Sequence, residues 1–111
     1  NTDIRCVVEH PETLPTVEMS GEKRRNVFLC IKESLHNIVK HSRATEVRII
    51  FKLGPQLVIQ IHDNGVGFQD IMIREFSNGL TNMRKRMEGI DGHFNIRNEN
   101  GALITFSIPL P

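Results

Sequence analysis

Apolar residues return every three or four positions between about Met19 and His41, at Val27, Phe28, Ile31, Leu35, Ile38 and Val39. That is the period of an α-helix with one side turned to a core. Ser20 suits the N-cap and Glu22 the first turn. At about 100° per residue, Glu33, Asn37 and Lys40 fall on the opposite side, within roughly 60° of one another. A carboxylate, an amide and an ammonium on one stripe can be a plain solvated face, or can converge on a metal-bound phosphate.

Elsewhere the period is two. Ile4 to Glu9 reads as a strand, and His10 to Pro15, with two prolines, as a loop. From Glu46 to Leu53, Val47, Ile49 and Phe51 alternate with Arg48, Ile50 and Lys52. After a turn at Gly54-Pro55-Gln56, Leu57, Ile59 and Ile61 alternate with Val58, Gln60 and His62, so the two runs predict a hairpin. Gln69 to Ser77 has no clear period and is expected to be a mobile loop. Asn78-Gly79 opens a second helix with Leu80, Met83, Met87 and Ile90 on its buried side, closed by Asp91-Gly92. His93 to Arg97 and Leu103 to Ile108 predict a last hairpin around Glu99-Asn100-Gly101. Strand, helix, strand pair, loop, helix, strand pair predicts an α/β (α+β) two-layer sandwich, a mixed β-sheet with helices packed on one face.

The 111 residues suffice for one domain, residues 1–111, with one core. A net charge of +1 leaves no electrostatic footprint for nucleic acid. The short basic runs Lys23-Arg24-Arg25 and Arg84-Lys85-Arg86 lie on predicted helices. With Phe as the sole aromatic type, a stacking platform for single strands is disfavoured. Cys6 and Cys30 sit in apolar patterns and read as two small buried hydrophobes rather than a disulfide. No apolar run approaches membrane-spanning length. The chain starts at Asn1 and is expected to be a piece of a longer protein.

Two glycine stretches change the reading of the helix stripe. In Asp63-Asn64-Gly65-Val66-Gly67-Phe68 a carboxylate at a strand end can accept from an exocyclic amino group, and the glycines let backbone approach a flat ligand. The same sequence also makes an ordinary turn. Asn78-Gly79-Leu80 offers backbone N–H groups at a helix start, a phosphate-friendly place as well as an ordinary cap. Neither stretch is a Walker loop or a dinucleotide fingerprint.

The combination Glu33-x-x-x-Asn37-x-x-Lys40-His41, Asp63-x-Gly65-x-Gly67-Phe68 and Asn78-Gly79-Leu80-x-Asn82-Met83-x-x-Arg86-Met87 closely resembles the nucleotide-binding domain of bacterial sensor histidine kinases. That domain belongs to the gyrase, heat-shock chaperone, histidine kinase and MutL ATPase superfamily. The resemblance spans about Ser20 to Leu110. Asn37-Ile38-Val39-Lys40-His41-Ser42-Arg43-Ala44 and Gly79-Leu80-Thr81-Asn82-Met83-Arg84-Lys85-Arg86 point to the subgroup that signals to response regulators with LuxR-type DNA-binding domains.

The resemblance implies ATP and Mg2+ as cofactors. By it, Asn37 holds the magnesium ion that bridges the phosphates, and Glu33 accepts a proton from the phosphoacceptor histidine or orients it. Lys40 and His41 face the phosphates, and Asp63 reads the adenine amino group. Gly65, Gly67 and Gly79 belong to the two glycine boxes, with a flexible ATP lid between them, Phe68 at its root, and Leu80 lending a backbone N–H to phosphate. It further implies a bacterial, cytoplasmic domain of a membrane-associated homodimer. Such a domain would pass phosphate to a histidine of a separate dimerisation domain and, through it, to a response regulator, with no direct nucleic-acid contact. His10, His36, His41, His62 and His93 do not sit in the phosphoacceptor motif. The sequence departs from the pattern at Asp91-Gly92, where Gly-Gly is common, and at Asn100-Gly101-Ala102, which stands for a late Gly-x-Gly-Thr at the rear wall of the site. Thr105, in the last strand, reads either as support for the adenine site through a water or, with the stronger case, as an ordinary strand residue. Two other readings on this fold are an anti-sigma-factor-like serine kinase or binding switch, and an interaction domain that does not bind ATP.

Overall fold

The computed structural model of the protein describes residues 3–11, 19–67 and 77–110. The alternating runs form five strands, β1 (Arg5–Glu9), β2 (Glu46–Leu53), β3 (Gln56–Asp63), β4 (His93–Asn98) and β5 (Ala102–Pro109). They make one sheet in the order β1-β2-β3-β5-β4. β1 runs parallel to β2 and the other neighbours are antiparallel, so the sheet is mixed as predicted. The parallel pair needs a crossover, and helix α1 (Gly21–Asn37) lies between its two strands in the chain. Helix α2 (Ser77–Glu88) connects the two hairpins.

Register puts the β-branched residues of neighbouring strands opposite each other. Ile61 of β3 pairs with Ile49 on one side and Ile104 on the other, and Phe106 pairs with Ile59 and Phe94. The Phe94 and Phe106 rings stack at 5.5 Å between centroids. Both helices cover this face: Cys30 and Ile38 from one and Met83 and Met87 from the other join the same buried cluster. Arg84 lies 5.4 Å over the Phe94 ring on the outside of that layer.

Ser20 caps α1 as expected, accepting from Lys23 N at 3.1 Å. The buried side of α1 overlaps the apolar side only in part: Ile38 is in the core and Val27, Ile31 and Leu35 pack against it, but the most deeply buried stripe is turned toward small and polar residues. Its buried residues are Cys30, Ser34 and Asn37, whereas Phe28 is 63% exposed and Val39 61%. The cause is the close approach of α2. Cys30 Sγ lies 3.7 Å from Met83 O, and Ser34 Oγ, which donates to Cys30 O at 2.8 Å, is 3.4 Å from Met83 Sδ. Only small side chains fit there, so the inward stripe is rotated away from the bulkiest apolar residues. Asn37 is consequently turned inward and does not share an outer stripe with exposed Lys40.

α1 does not continue to His41 as an α-helix. Ile38–Ser42 is a turn of π-helix, stopped by Arg43 at φ 57°. Ser42 stabilises the wider turn: its Oγ donates to Ile38 O at 2.8 Å and accepts from Ala44 N at 3.0 Å. Both cysteines are free thiols, but Cys6 is exposed, because it lies on the edge strand, and only Cys30 is buried.

α2 begins at Ser77 and buries Met83 and Met87, with Ile90 just beyond its end. It closes in a paired-bond C-cap: Gly92 N reaches Met87 O at 2.7 Å and Asp91 N reaches Glu88 O at 3.1 Å. Asp91 takes the left-handed position, φ 58°, that glycine usually fills. Gly92 is needed for room instead, since a Cβ there would lie 2.8 Å from Ser107 O. Ser77, expected at the end of the mobile loop, instead opens α2; the rest of that loop and Phe68 lie outside the described residues, as does most of the predicted proline loop. Among the described residues no helix is long and apolar enough to cross a membrane.

Candidate functional site

Asp63 ends β3 on the same side of the strand as Ile59 and Ile61, so the period-two pattern that builds the core also carries a carboxylate into it. It is 1% exposed. Its Oδ1 accepts from Gly65 N at 2.8 Å and Ala102 N at 3.2 Å. Its Oδ2 is buried and has no partner among the described residues. A buried carboxylate oxygen without a donor is costly, and a ligand N–H would satisfy it.

The rear wall, where the sequence departs from the family pattern, is present. A Cβ on Gly101 would fall 2.0 Å from Asp63 O and 3.0 Å from Asp63 Oδ1, so the β4–β5 turn lies directly on the aspartate. His62 Nε2 donates to Glu99 O at 2.6 Å and ties the same turn down. Thr105 pairs with Gln60, whose side chain points away from the face that carries Asp63, so it is an ordinary strand residue.

The glycine loop is held by two residues that pattern reading passes over. Asn64 Oδ1 accepts from Thr45 N at 2.9 Å and Glu46 N at 3.0 Å, and its Nδ2 donates to Thr45 Oγ1 at 2.9 Å. Ser42 O accepts from Val66 N at 2.9 Å, and a Cβ on Gly65 would lie 2.1 Å from that oxygen. Gly65 is therefore required for contact with the π-turn. Gly67 is required for backbone as well as space, with φ 76° and Asn98 Oδ1 at 2.7 Å from a Cβ. The polar residue after Lys40-His41 and the Asp-Asn pair at the strand end are the signals that could have found Ser42 and Asn64.

The loop thus joins β3 to the end of α1. Just before the π-turn, Asn37 is 6% exposed, and its Nδ2 has no partner among the described residues. A flip of this amide would present its oxygen instead, a neutral ligand suited to a hard cation. One turn earlier, Glu33 Oε2 lies 2.8 Å from where a Gly79 Cβ would be, so the carboxylate sits on the first turn of α2. Leu80 packs half-buried against the core. Lys40 is exposed and His41 half-buried on the π-turn. The structure therefore brings Asp63, Gly65, Gly67 and Gly101 together at one end. Glu33 and Gly79 meet at the other, with Asn37 on the helix between Glu33 and the π-turn. A cleft of about 300 Å3 opens between the helices, lined by Lys32, Glu33 and His36 of α1 and Asn82, Met83 and Arg86 of α2.

The orphaned Asp63 oxygen, the orphaned Asn37 amide and the glycine cradle fit a nucleotide carrying a divalent cation. Comparison with known proteins agrees on the nucleotide. Residues 22–111 match the family described as histidine kinase-, DNA gyrase B-, and HSP90-like ATPase. The chain is 37% identical over 109 residues to the sensor histidine kinase DesK of Bacillus subtilis, covering 96% of this chain and 29% of that protein. It is 33% identical over 89 residues to the sensor histidine kinase ComP of the same organism, covering 78% of this chain and 12% of that protein. It therefore spans less than a third of these relatives. Among solved structures, the histidine kinase domain of the Erythrobacter litoralis EL346 blue-light activated kinase superposes with a TM-score of 0.80 at 23% identity, covering 99% of this chain and 53% of that one. The ATP-binding domain of PrrB from Mycobacterium tuberculosis superposes at 0.77 with 24% identity, covering 98% and 82%; these two show the fold. With the match over residues 22–111, the chain belongs to the histidine kinase-, DNA gyrase B- and HSP90-like ATPase family, as an ATP-binding domain of the sensor histidine kinase type.

Proposed function

We propose that residues 1–111 bind Mg-ATP and position its γ-phosphoryl group for transfer to a histidine on a separate dimerisation domain of the same kinase. A response regulator would then receive it. The reading is carried by Asp63: one carboxylate oxygen is saturated by Gly65 N and Ala102 N, and the other is buried and open. Oδ2 accepts from the adenine amino group, an acceptor where guanine would present a carbonyl. Gly65 and Gly67 keep the loop low enough for the ring to lie flat.

At the phosphate end, Asn37 is the residue to hold magnesium, which when bound neutralises phosphate charge. The first turn of α2 offers the N–H groups of Gly79 and Leu80. Lys40 supplies positive charge from the π-turn, and His41 stands next to it on the same turn. Glu33 stands against Gly79, at the place where an acceptor imidazole must lose its proton, and acts as base or orienting group. Positioning and charge neutralisation supply most of the rate in such transfers. In the whole protein this domain works on the cytoplasmic side of a membrane-associated homodimer.

Calorimetric titration with a non-hydrolysable ATP analogue, with and without magnesium, tests the reading. Micromolar binding that tightens with the metal is expected, and in Asn37→Asp the metal-dependent gain should shrink more than metal-free ADP binding does. Absence of binding in both conditions would refute the nucleotide site. Equal losses in the variant would remove Asn37 as the magnesium ligand.

A further inference from the structure

Two apolar residues that the core leaves outside mark the ends of one side of α1. Phe28 and Val39 are 63% and 61% exposed, and half-buried Ile31 and Leu35 continue the same apolar side between them. The spacing from Phe28 to Ile31, Leu35 and Val39 is three, four and four, a straight ridge about 16 Å long. This is the pattern that a second helix reads when it packs alongside. None of its four residues is among those assigned above to the nucleotide.

The charges that α1 itself sets beside the ridge have one sign. Counting about 100° per residue, Arg24, Arg25 and Lys32 flank it within roughly 60°. All three are exposed. The two acidic residues of the helix lie elsewhere, Glu22 in the first turn and Glu33 against Gly79 of α2. A second copy of this chain docking ridge to ridge would set cations against cations, which argues against self-association. A bilayer would be offered one fully protruding large residue per turn at most, since Ile31 and Leu35 are already half covered.

We propose that this face of α1 is a docking surface for an amphipathic protein helix whose apolar stripe is flanked by acidic residues. Phe28 and Val39 fill the gaps between the partner's apolar side chains, and Arg24, Arg25 and Lys32 pair with its carboxylates and fix its register. The site is independent of nucleotide, so it can be occupied with the ATP site empty or filled.

The test uses the 111-residue chain and a labelled synthetic three-heptad peptide with Leu at the a and d positions and Glu at e and g, followed by fluorescence anisotropy. A peptide with Lys at e and g is the control. The Glu peptide should bind and weaken as salt rises, and the Lys peptide should bind at least tenfold more weakly. Phe28→Ser combined with Val39→Ser should lower affinity for the Glu peptide at least tenfold while ATP binding stays unchanged. Arg24→Glu with Arg25→Glu should reverse the peptide preference, an arm that does not depend on the apolar substitutions. Equal binding of the two peptides, or no effect of either double variant, would overturn the proposal. So would sedimentation showing a dimer that Phe28→Ser dissolves, which would give the ridge to a second copy. Failure to bind the Glu peptide together with binding to phosphatidylglycerol vesicles would likewise overturn it, in favour of a membrane surface.

Discussion

Gly101 rests on the backbone of Asp63: a single methyl group added to it would fall 2.0 Å from the aspartate carbonyl oxygen. Its φ of 126° is also closed to other residues. The hairpin turn and the strand end therefore fix each other, and a carboxylate buried in the core is aimed by a residue with no side chain.

Gly101→Ala should lower stability by about 2–4 kcal/mol, from backbone strain and steric clash together. Gly21→Ala is the contrast. That residue starts α1 with nothing within 4 Å of a Cβ, so alanine should be neutral or stabilise by up to about 1 kcal/mol. Denaturant unfolding of the two variants reads the difference directly.

Asp63→Asn retains an oxygen for Gly65 N and Ala102 N but turns an amide N–H2 toward the position of the ligand amino group. The fold should survive, and ATP affinity should fall by about 1.5–3 kcal/mol, the cost of an unsatisfied buried polar pair. Calorimetry on folded variant that gives wild-type affinity would remove Asp63 from base recognition.

Glu33→Gln keeps the size of the side chain beside Gly79 and removes its capacity to take a proton. In the whole kinase, ATP binding should be preserved and phosphotransfer slowed by about 10²–10⁴-fold, the usual contribution of a general base. Transfer at the normal rate, followed with radiolabelled ATP, would leave Glu33 a structural role only.

The two thiols should behave oppositely. Burial pushes Cys30 up from 9.0 to about 11, against a smaller lowering by Arg86, whereas Cys6 is exposed. At pH 8 an alkylating reagent should label Cys6 in the folded protein and Cys30 only after unfolding. The folded state holds the Cys30 proton more tightly than the unfolded chain does. This contribution to stability is complete below pH 9 and is lost as pH rises from there toward 11. Urea midpoints that do not fall over that window, compared with Cys30→Ser, would contradict it.

The sheet was legible because its signal is strict. Val47, Ile49, Ile59 and Ile61 can face the core only if Arg48, Gln60 and His62 face away, and a shift of one residue would invert every one of them. α2 was legible for a similar reason, since its methionines recur at helical spacing with polar residues between. α1 was misread because period does not report how near a neighbour comes. Cys30 and Ser34 are inside because α2 comes close enough there to touch them, and Phe28 and Val39 fall outside that contact. Of the site, the glycines and Asp63 were visible as motifs. Ser42, Asn64 and the backbone of Ala102 were not: Ala102 and Ser42 meet the site through main-chain groups that many residue types could supply, and the partners of the Asn64 amide lie eighteen and nineteen residues away in the chain.

Asp63 closes β3, which alone among the strands near the site has hydrogen-bonded neighbours of seven paired residues on each side, β2 and β5. Amides in such a strand exchange with solvent chiefly through global opening. The acceptor proposed for the base therefore stands at the end of a firmly held strand, and binding of adenine to it should require little ordering of that strand. Calorimetric entropy of binding should accordingly be much the same for adenosine alone as for a rigid small-molecule pocket, with any ordering cost appearing only when phosphates are added.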